Sequence, residues 1–280
     1  MVSQRLMRRV VAGGICAGLV ALVAFGAGWD APLANGGSSI TARQHGPIVI
    51  RERHEHMTSS TNWSGYVVTG AANSVTAVKG SWVVPHIQGA CPATSLYSAF
   101  WVGIDGYNSS TVEQIGTDAD CVNGAPVYYA WVEIYPHPSY VLHSVPINPG
   151  DTISASVIYA NEVFTLVLTN HTTGQSFHTS TRVQNAQRSS AEWIAEAPAS
   201  ARGIILPLAD FGQGFFGRDY TGVALSSAAI IGGTFGPIGS FKDNVQQISM
   251  VSGKGVTEAV PSSLSANGSS FTVQWENSGQ

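Results

Sequence analysis

Three short stretches concentrate side chains that could carry out acid–base chemistry. They are TVEQIGTD at residues 111–118, YYAWVEIYP at 128–136 and AEWIAE at 191–196, in a chain of 280 residues of which only 11% are charged. Their polar residues are Glu113, Gln114, Asp118, Glu133, Glu192 and Glu196. Carboxylates beside aromatic side chains on a sheet are typical places for raised pKa values and catalysis. A carbohydrate-binding face, on which tryptophans stack against sugars, and a tryptophan-filled core are the alternatives.

The spacing of these residues is informative if the stretches are strands. Alternate residues of a strand share a face, so Glu192, Ile194 and Glu196 would lie together and Trp193 would lie opposite. The same rule places Trp131, Glu133 and Tyr135 on one face. The longer stretch SSAEWIAEAPASAR has the nearest approach to a helical period in the chain, so both interpretations remain open for AEWIAE.

Other common catalytic signatures are missing from the sequence. There is no G-x-S-x-G elbow, no Cys/His spacing typical of zinc, and no pair of Asp-Thr-Gly motifs, because Gly150-Asp151-Thr152 continues as Ile153. His54 and His56 form a His-x-His pair, but Thr58 stands where an HExxH motif needs its second histidine. A solvated segment or a pro-segment explains these histidines better than a metal site, and we expect neither a metal nor another cofactor.

The first 60 residues of the sequence suggest an exported protein. Residues 1–30 combine Arg5, Arg8 and Arg9 with a long run of small apolar residues, which is typical of a secretory signal peptide, although an uncleaved anchor has a similar pattern. Residues 31–60 show no hydrophobic period and are interpreted as a linker or short pro-segment. Residues 61–280 form the remaining domain. We therefore expect a secreted, extracellular protein that has no membrane contact after signal cleavage.

Residues 61–280 have the sequence pattern of an all-β domain. Short segments rich in Val, Ile, Thr, Tyr, Phe and Trp alternate with Gly, Pro, Asn and Ser, and residues 151–170 predict a hairpin that turns near residues 160–162. The pattern predicts an antiparallel sandwich or barrel. The net charge of −4 and the lack of a basic stripe argue against nucleic-acid binding.

Cys91 and Cys121 are the two cysteines left after signal removal. An even pair in an exported chain predicts a disulfide, with two free thiols as the alternative. In the chain-entropy account, closing a loop of about thirty residues contributes roughly 3 to 4 kcal/mol.

The order and content of the motifs resemble those of the glutamic peptidases, the eqolisin family of acid proteases. The similarity covers roughly residues 60–275 and rests on NWSGYV, GSWVVP, WVGIDG, QIGTD, YYAWVEIYP, GDTISASV, TTGQS, AEWIAE and LADFG in the family's order. The resemblance implies a β-sandwich of two large curved antiparallel sheets and a catalytic dyad of Gln114 and Glu192, with Glu196 as the fallback glutamate. The positions that it places along or behind the substrate cleft are Trp63, Trp101, Asp105, Asp118, Glu133 and Glu196.

The chain departs from the family pattern at two places. Ile134 and His137 stand where the family often has a tryptophan and an aspartate, and the segment LADFGQGFF differs from the usual family motif. These departures concern subsite preference more than the dyad. The function implied is a monomeric endopeptidase that acts on protein or peptide substrates at acid pH. Two other functions stay open from the residues alone: a sandwich glycoside hydrolase that uses two carboxylates such as Glu133 and Glu192, and a non-catalytic carbohydrate-binding module.

Overall fold

The computed structural model describes residues 43–279 and builds them almost entirely from β-strands. The strands are β1 Ile50–Arg53, β2 Met57–Ser60, β3 Trp63–Thr69, β4 Val75–Val83, β5 Ala99–Ile104, β6 Val112–Val122, β7 Ala125–Tyr135, β8 Tyr140–Val141, β9 Thr152–Ala160, β10 Val163–Asn170, β11 Gln175–Thr181, β12 Ser190–Glu196, β13 Gln213–Gly217, β14 Ala228–Ile231, β15 Thr234–Pro237, β16 Val245–Val251, β17 Thr257–Pro261 and β18 Ser270–Trp275. The helices are α1 Arg218–Thr221 and a 3-10 segment Ile238–Asn244.

The strands form two large antiparallel sheets, as the sequence predicts. One sheet, called here the site sheet, has the order β7-β6-β5-β12-β3-β16. The other has β11-β10-β9-β4, and β13 and β14 pair with β4. β17 and β18 connect β16 of the first sheet to β13 of the second. The fold is thus an all-β sandwich.

Strand β12 shows how the sequence pattern produces the central part of the site sheet. All seven of its residues are buried, as expected of a central strand covered on both faces. Ala191, Trp193 and Ala195 pack in the main hydrophobic core, where the Trp193 indole N–H donates a 2.8 Å hydrogen bond to the Lys79 carbonyl oxygen. Ile194 belongs to a second cluster on the opposite face, together with Trp63, Trp101 and Trp131. AEWIAE is therefore a strand, and its glutamates share the face of this second cluster.

Two further local predictions are confirmed. β9 and β10 form the expected hairpin, in which Val163 pairs with Ala160 and the turn residues Asn161 and Glu162 have φ values of 51° and 63°. Cys91 and Cys121 form a disulfide with 5.3 Å between their Cα atoms. The bond ties the loop before β5 to the end of β6, one of the strands that carries the candidate site.

The predicted signal peptide, residues 1–30, lies outside the described residues. The described part of the predicted linker or pro-segment starts at residue 43, and it is more closely integrated than a linker would be. β1 pairs with β2, and β2 pairs in parallel with β16. Within residues 43–279 no group of His, Cys, Asp and Glu is arranged to hold a metal ion, and no helix is long and apolar enough to cross a membrane.

Candidate active site

Strand register brings the candidate residues into rows that run across the site sheet. The Glu192 row consists of Glu192 on β12, Gly103 on β5, Gln114 on β6 and Glu133 on β7. The Glu196 row consists of Glu196, Ala99, Asp118 and Tyr129 on the same four strands. Ile194, Trp101, Gly116 and Trp131 form the row between them. Residues far apart in sequence thus share one surface.

Gly103 lies between Glu192 and Gln114 in their row and carries no side chain that would separate them. A Cβ atom at this position would lie 2.9 Å from a ring carbon of Trp101 and 3.1 Å from the Cβ of Gln114. Both distances are shorter than ordinary van der Waals contact. A side chain there would fill the gap that separates the carboxyl group from the amide group.

The Glu192 carboxyl group is enclosed and lacks a close partner. The residue is fully buried, and among residues 43–279 neither carboxylate oxygen makes a hydrogen bond of ordinary geometry. Burial raises the pKa of Glu192 well above its usual range, the nearby Ser190 hydroxyl opposes this in part, and the charges of Asp105 and Glu113 add to the increase. The group is therefore held as a neutral acid in this enclosed state.

Glu196 has a more structured environment than Glu192. Its Oε2 atom accepts a 2.7 Å hydrogen bond from the Trp101 indole N–H, and Trp101 packs edge-on against Trp63 with 5.0 Å between ring centroids. Burial raises the pKa of Glu196 well above its usual range, although the positive charge of His45 acts in the opposite direction. Glu196 is thus fixed by an aromatic neighbour.

The buried Asp105 carboxylate is held by the backbone next to β12. Its carboxylate accepts hydrogen bonds from the backbone N–H groups of Arg188 at 2.7 Å and Ser189 at 2.9 Å. Ser189 directly precedes β12, so Asp105 fixes the point at which the glutamate-bearing strand begins. Asp105 thus anchors the backbone just before the strand that carries Glu192.

Asp118 and Glu133 converge on a residue from the N-terminal segment, His45. The His45 Nδ1 atom lies 2.9 Å from Glu133 Oε2, and Nε2 lies 3.3 Å from Asp118 Oδ1. The imidazole also stacks on Trp131 with 3.6 Å between ring centroids and 5° between the planes. Burial favours the neutral ring, but the Asp118 and Glu133 carboxylates outweigh it and raise the pKa of His45 to about 10. His45 is therefore an imidazolium at acid and neutral pH.

The backbone around His45 also occupies the site. Gln114, through its side-chain N–H, donates a hydrogen bond to the His45 carbonyl oxygen. The Trp63 indole N–H donates to the carbonyl oxygen of Gly46 at 3.2 Å. Gln114 and Trp63, both predicted from sequence, thus contact the same short peptide.

The sequence did not predict that residues 43–46 would fill the site. They stand in a polar segment without periodicity, and no local motif marks His45 as different from the other histidines. Trp131 and Tyr129 were also not assigned to the site, although the alternation in YYAWVEIYP places them on the Glu133 face. The Tyr129 hydroxyl donates a 2.6 Å hydrogen bond to Asp118, which orients that carboxylate toward His45.

Structural comparison indicates the class of protein to which this fold and site belong. The chain has the fold of scytalido-glutamic peptidase, solved with a transition state analog inhibitor: the match has a TM-score of 0.61 and 24% sequence identity, and covers 77% of this chain and 98% of that one. A second match, aspergilloglutamic peptidase from Aspergillus niger, has a TM-score of 0.52 and 27% identity, and covers 65% of this chain and 99% of that one. The fold is thus that of the glutamic peptidases.

Sequence comparison gives the family directly. Residues 61–275 match the Peptidase A4 family, and the chain belongs to this family. It is 30% identical over 239 residues to aspergillopepsin-2 of Aspergillus niger, and this alignment covers 77% of this chain and 78% of the relative. It is also 32% identical over 144 residues to scytalidopepsin B of Scytalidium lignicola, covering 50% and 52% of the two chains. The protein is therefore a peptidase, and the glycoside hydrolase and carbohydrate-binding alternatives are not supported.

Proposed function

We propose that the protein is a secreted endopeptidase that works at acid pH with Gln114 and Glu192 as its catalytic dyad. The observation that carries this proposal is the Glu192 row, in which a carboxyl group and an amide group flank a glycine. A substrate carbonyl group placed above Gly103 would have an acid–base group on one side and a hydrogen-bond donor on the other.

The reaction follows from the chemistry of these two groups. Ionised Glu192 takes a proton from a water molecule, whose oxygen attacks the carbonyl carbon of the scissile peptide bond. The side-chain N–H of Gln114 donates a hydrogen bond to the oxyanion that forms. Glu192 then returns the proton to the nitrogen of the leaving group, the C–N bond breaks, and the products are a carboxylic acid and an amine. Glutamine stays neutral at every pH, so the oxyanion donor is not lost on acidification.

The surrounding residues have supporting roles in this proposal. Trp63 and Trp101 line the cleft, Glu196 fixes the Trp101 indole, and Asp105 anchors the start of β12. Asp118 and Glu133 hold a polar substrate side chain, as they hold His45 here. Burial raises the pKa of Glu192, and contact with water would stabilise the ionised form that the reaction needs.

The proposal is tested by digestion of casein at acid pH with wild type, Gln114→Ala and Glu192→Gln. We expect digestion by the wild type that persists with a metal chelator, a serine-directed reagent or a pepstatin-type inhibitor. Both variants should retain the wild-type circular dichroism spectrum and lose most activity. Inhibition by the chelator, or full activity of Glu192→Gln, would contradict the dyad.

Secretion is supported by the signal-like residues 1–30 and by the disulfide, since such bonds persist in oxidising compartments. Expression of the full chain in an export-competent host should release a monomeric protein that lacks these residues. Mass spectrometry of the medium tests the cleavage, and light scattering tests the monomer. Full-length chain retained in the membrane fraction would instead indicate an anchor.

A further inference from the structure

The N-terminal segment crosses the site sheet where a substrate would have to lie. Residues 43–48 contact both ends of the site, and each contact uses a backbone group or a side chain that a peptide substrate could also supply. Ile48 donates a backbone hydrogen bond to the carbonyl oxygen of Gly106 at 3.2 Å, just beyond the end of β5. On the other side, Gln44 pairs with Ala199, just beyond the end of β12. The segment therefore spans the site from one strand end to another.

The Gln44 pairing has the form of strand addition. The Gln44 N–H donates to the Ala199 carbonyl oxygen at 3.0 Å, and the Ala199 N–H donates to the Gln44 carbonyl oxygen at 2.8 Å. This reciprocal exchange is the pattern by which extended peptides bind to exposed strand edges. It depends on the backbone alone, so a peptide of another sequence could make it.

The position of the scissile bond follows from the Gln114 contact. Gln114 is the candidate oxyanion donor, and its side-chain amide donates to the carbonyl oxygen of His45. A donor that stabilises the oxyanion must also lie next to the carbonyl oxygen from which the oxyanion forms. The bond in register with Gln114 is therefore the one between His45 and Gly46.

The environment of the His45 side chain is built for a planar cation. Trp131 covers one face of the ring, and both ring nitrogens have a carboxylate partner, Glu133 at 2.9 Å and Asp118 at 3.3 Å. His45, Asp118, Glu133 and Trp131 are all buried. A neutral apolar side chain in this place would remove the cationic partner of two buried carboxylates and leave Asp118 only its hydrogen bond from Tyr129, which is unfavourable.

Arg43, two residues before His45, adds a second point of recognition. Arg43 lies 3.8 Å from Asp120 and stacks over the Tyr97 ring at 3.9 Å from its centroid. Its carbonyl oxygen accepts a 2.8 Å hydrogen bond from Ser139. The acyl side of the segment is thus held by charge, stacking and backbone contacts, whereas Gly46 on the other side presents only its backbone, which Trp63 contacts.

We propose that residues 43–48 are bound as a substrate and that the first bond this peptidase cleaves is its own His45–Gly46 bond. Trp131, Asp118 and Glu133 then form a subsite that selects an imidazolium side chain directly before the scissile bond. This inference rests on the proposed function. Hydrolysis adds water across the bond, so that His45 gains a carboxyl group and Gly46 gains a free amine. The same subsite then favours protein substrates with histidine before the cleaved bond.

The proposal is tested by incubating purified full chain at acid pH and following its N-terminus by mass spectrometry. We expect a new N-terminus at Gly46 in the wild type and at least about a tenfold slower appearance in His45→Leu. The control His178→Leu changes an exposed histidine on β11 and should process at the wild-type rate. Glu192→Gln should not process itself, but added wild type should cleave it at the same bond.

A second measurement keeps the proposal testable if His45→Leu does not fold. Two blocked peptides, Arg-Gln-His-Gly-Pro-Ile and Arg-Gln-Leu-Gly-Pro-Ile, are offered to the acid-incubated wild type. The histidine peptide should have at least about a tenfold higher kcat/KM, and Glu133→Gln should reduce that ratio. Equal cleavage of both peptides, or an N-terminus elsewhere, would overturn the inference and leave the peptidase function intact. If neither peptide nor casein is cleaved, the proposed function fails and the inference fails with it.

Discussion

The two glutamates of β12 lie on the same face of one strand but at ends of the site that differ in kind. At the Glu196 end, the carboxylates have defined partners: Glu196 accepts from Trp101, and Asp118 accepts from Tyr129 and contacts His45. At the Glu192 end, neither oxygen of Glu192 makes a hydrogen bond of ordinary geometry within the described part of the chain. The first end thus has carboxylates with fixed partners, whereas the carboxyl group of the second has none among the described residues.

This difference shows why burial alone does not identify a general base. Burial raises the pKa of both Glu192 and Glu196 well above the usual range. A carboxylate that already accepts a hydrogen bond from an indole is restricted in the proton transfers it can make, whereas neither oxygen of Glu192 has such a partner in the described part of the chain. The neighbours of the two glutamates therefore distinguish them, although the spacing in AEWIAE does not.

The largest expected effect separates these two ends directly. Glu192→Gln keeps the size of the side chain but abolishes proton uptake, so kcat should fall by several orders of magnitude. Glu196→Gln keeps an oxygen that can accept from Trp101, so kcat should fall only about ten- to a hundredfold. Steady-state kinetics on denatured haemoglobin at acid pH measure both, with circular dichroism as the folding control. The opposite ranking would make Glu196 the base, and two active variants would remove the dyad.

The second effect concerns the donor of the Glu192 row. Gln114→Ala removes the side-chain N–H proposed to stabilise the oxyanion, and loss of such a donor costs about 10²- to 10³-fold in kcat. Gln247→Ala is a matched control, because Gln247 donates a 2.9 Å hydrogen bond to Pro261 on the far edge of the sheet. A Gln114→Ala variant with unchanged kcat and raised KM would assign Gln114 to substrate binding instead.

A smaller effect is expected from filling the gap between the two groups. Gly103→Ala places a Cβ atom 2.9 Å from Trp101 and 3.1 Å from Gln114, so either side chain must move. We expect about a tenfold decrease in kcat/KM and about 1 to 3 kcal/mol lower stability from overpacking. Gly253→Ala is the control, since nothing lies within 4 Å of a Cβ there. Loss of stability without loss of activity would mean that the gap is not part of the reaction space.

The parts of the structure that were predictable from sequence depend on local patterns. Alternation gave the two faces of AEWIAE and YYAWVEIYP, and turn chemistry gave the hairpin between β9 and β10. The even pair of cysteines gave the disulfide. Each of these follows from residues that are neighbours in sequence or from a simple count, so one chain is enough to infer them.

The rows of the site were not predictable in this way. Glu192 and Gln114 lie in one row because β12 inserts between β3 and β5, and no local signal specifies that insertion. The role of Gly103 depends on the same register. His45 occupies the site because the chain before β1 turns back across the sheet, and a polar segment without periodicity gives no indication of such a path.

The smallest effect concerns stability. It tests whether the buried carboxyl groups at and near Glu192 lack stabilising partners in solution, as their contacts indicate. Glu113 precedes Gln114 on β6 and is buried on the opposite face of the site sheet, from which its charge acts on Glu192; burial together with the Asp105 charge raises the pKa of Glu113 from 4.5 to about 9. Between these values the folded protein keeps a proton that the unfolded chain has lost. The contribution to stability is therefore full below about pH 4.5 and declines as the pH rises toward 9. His45 acts in the same direction, since its pKa of about 10 in the folded protein means that its contribution declines between 6.5 and 10.

The melting temperature should accordingly fall as the pH is raised from 5 to 8. In Glu113→Gln this decrease should be smaller by about 2 to 8 °C, which corresponds to a difference of about 1 to 2 kcal/mol in the free energy of unfolding for a domain of this size. Glu162→Gln is the control, because that carboxylate lies in the exposed hairpin turn with 77% of its side chain accessible. Differential scanning calorimetry at both pH values gives the comparison. If the melting temperatures of Glu113→Gln and the control depend on pH in the same way, the buried carboxyl groups near Glu192 do have stabilising partners in solution. The distinction between the two ends must then rest on the kinetics of the Glu192 and Glu196 variants alone.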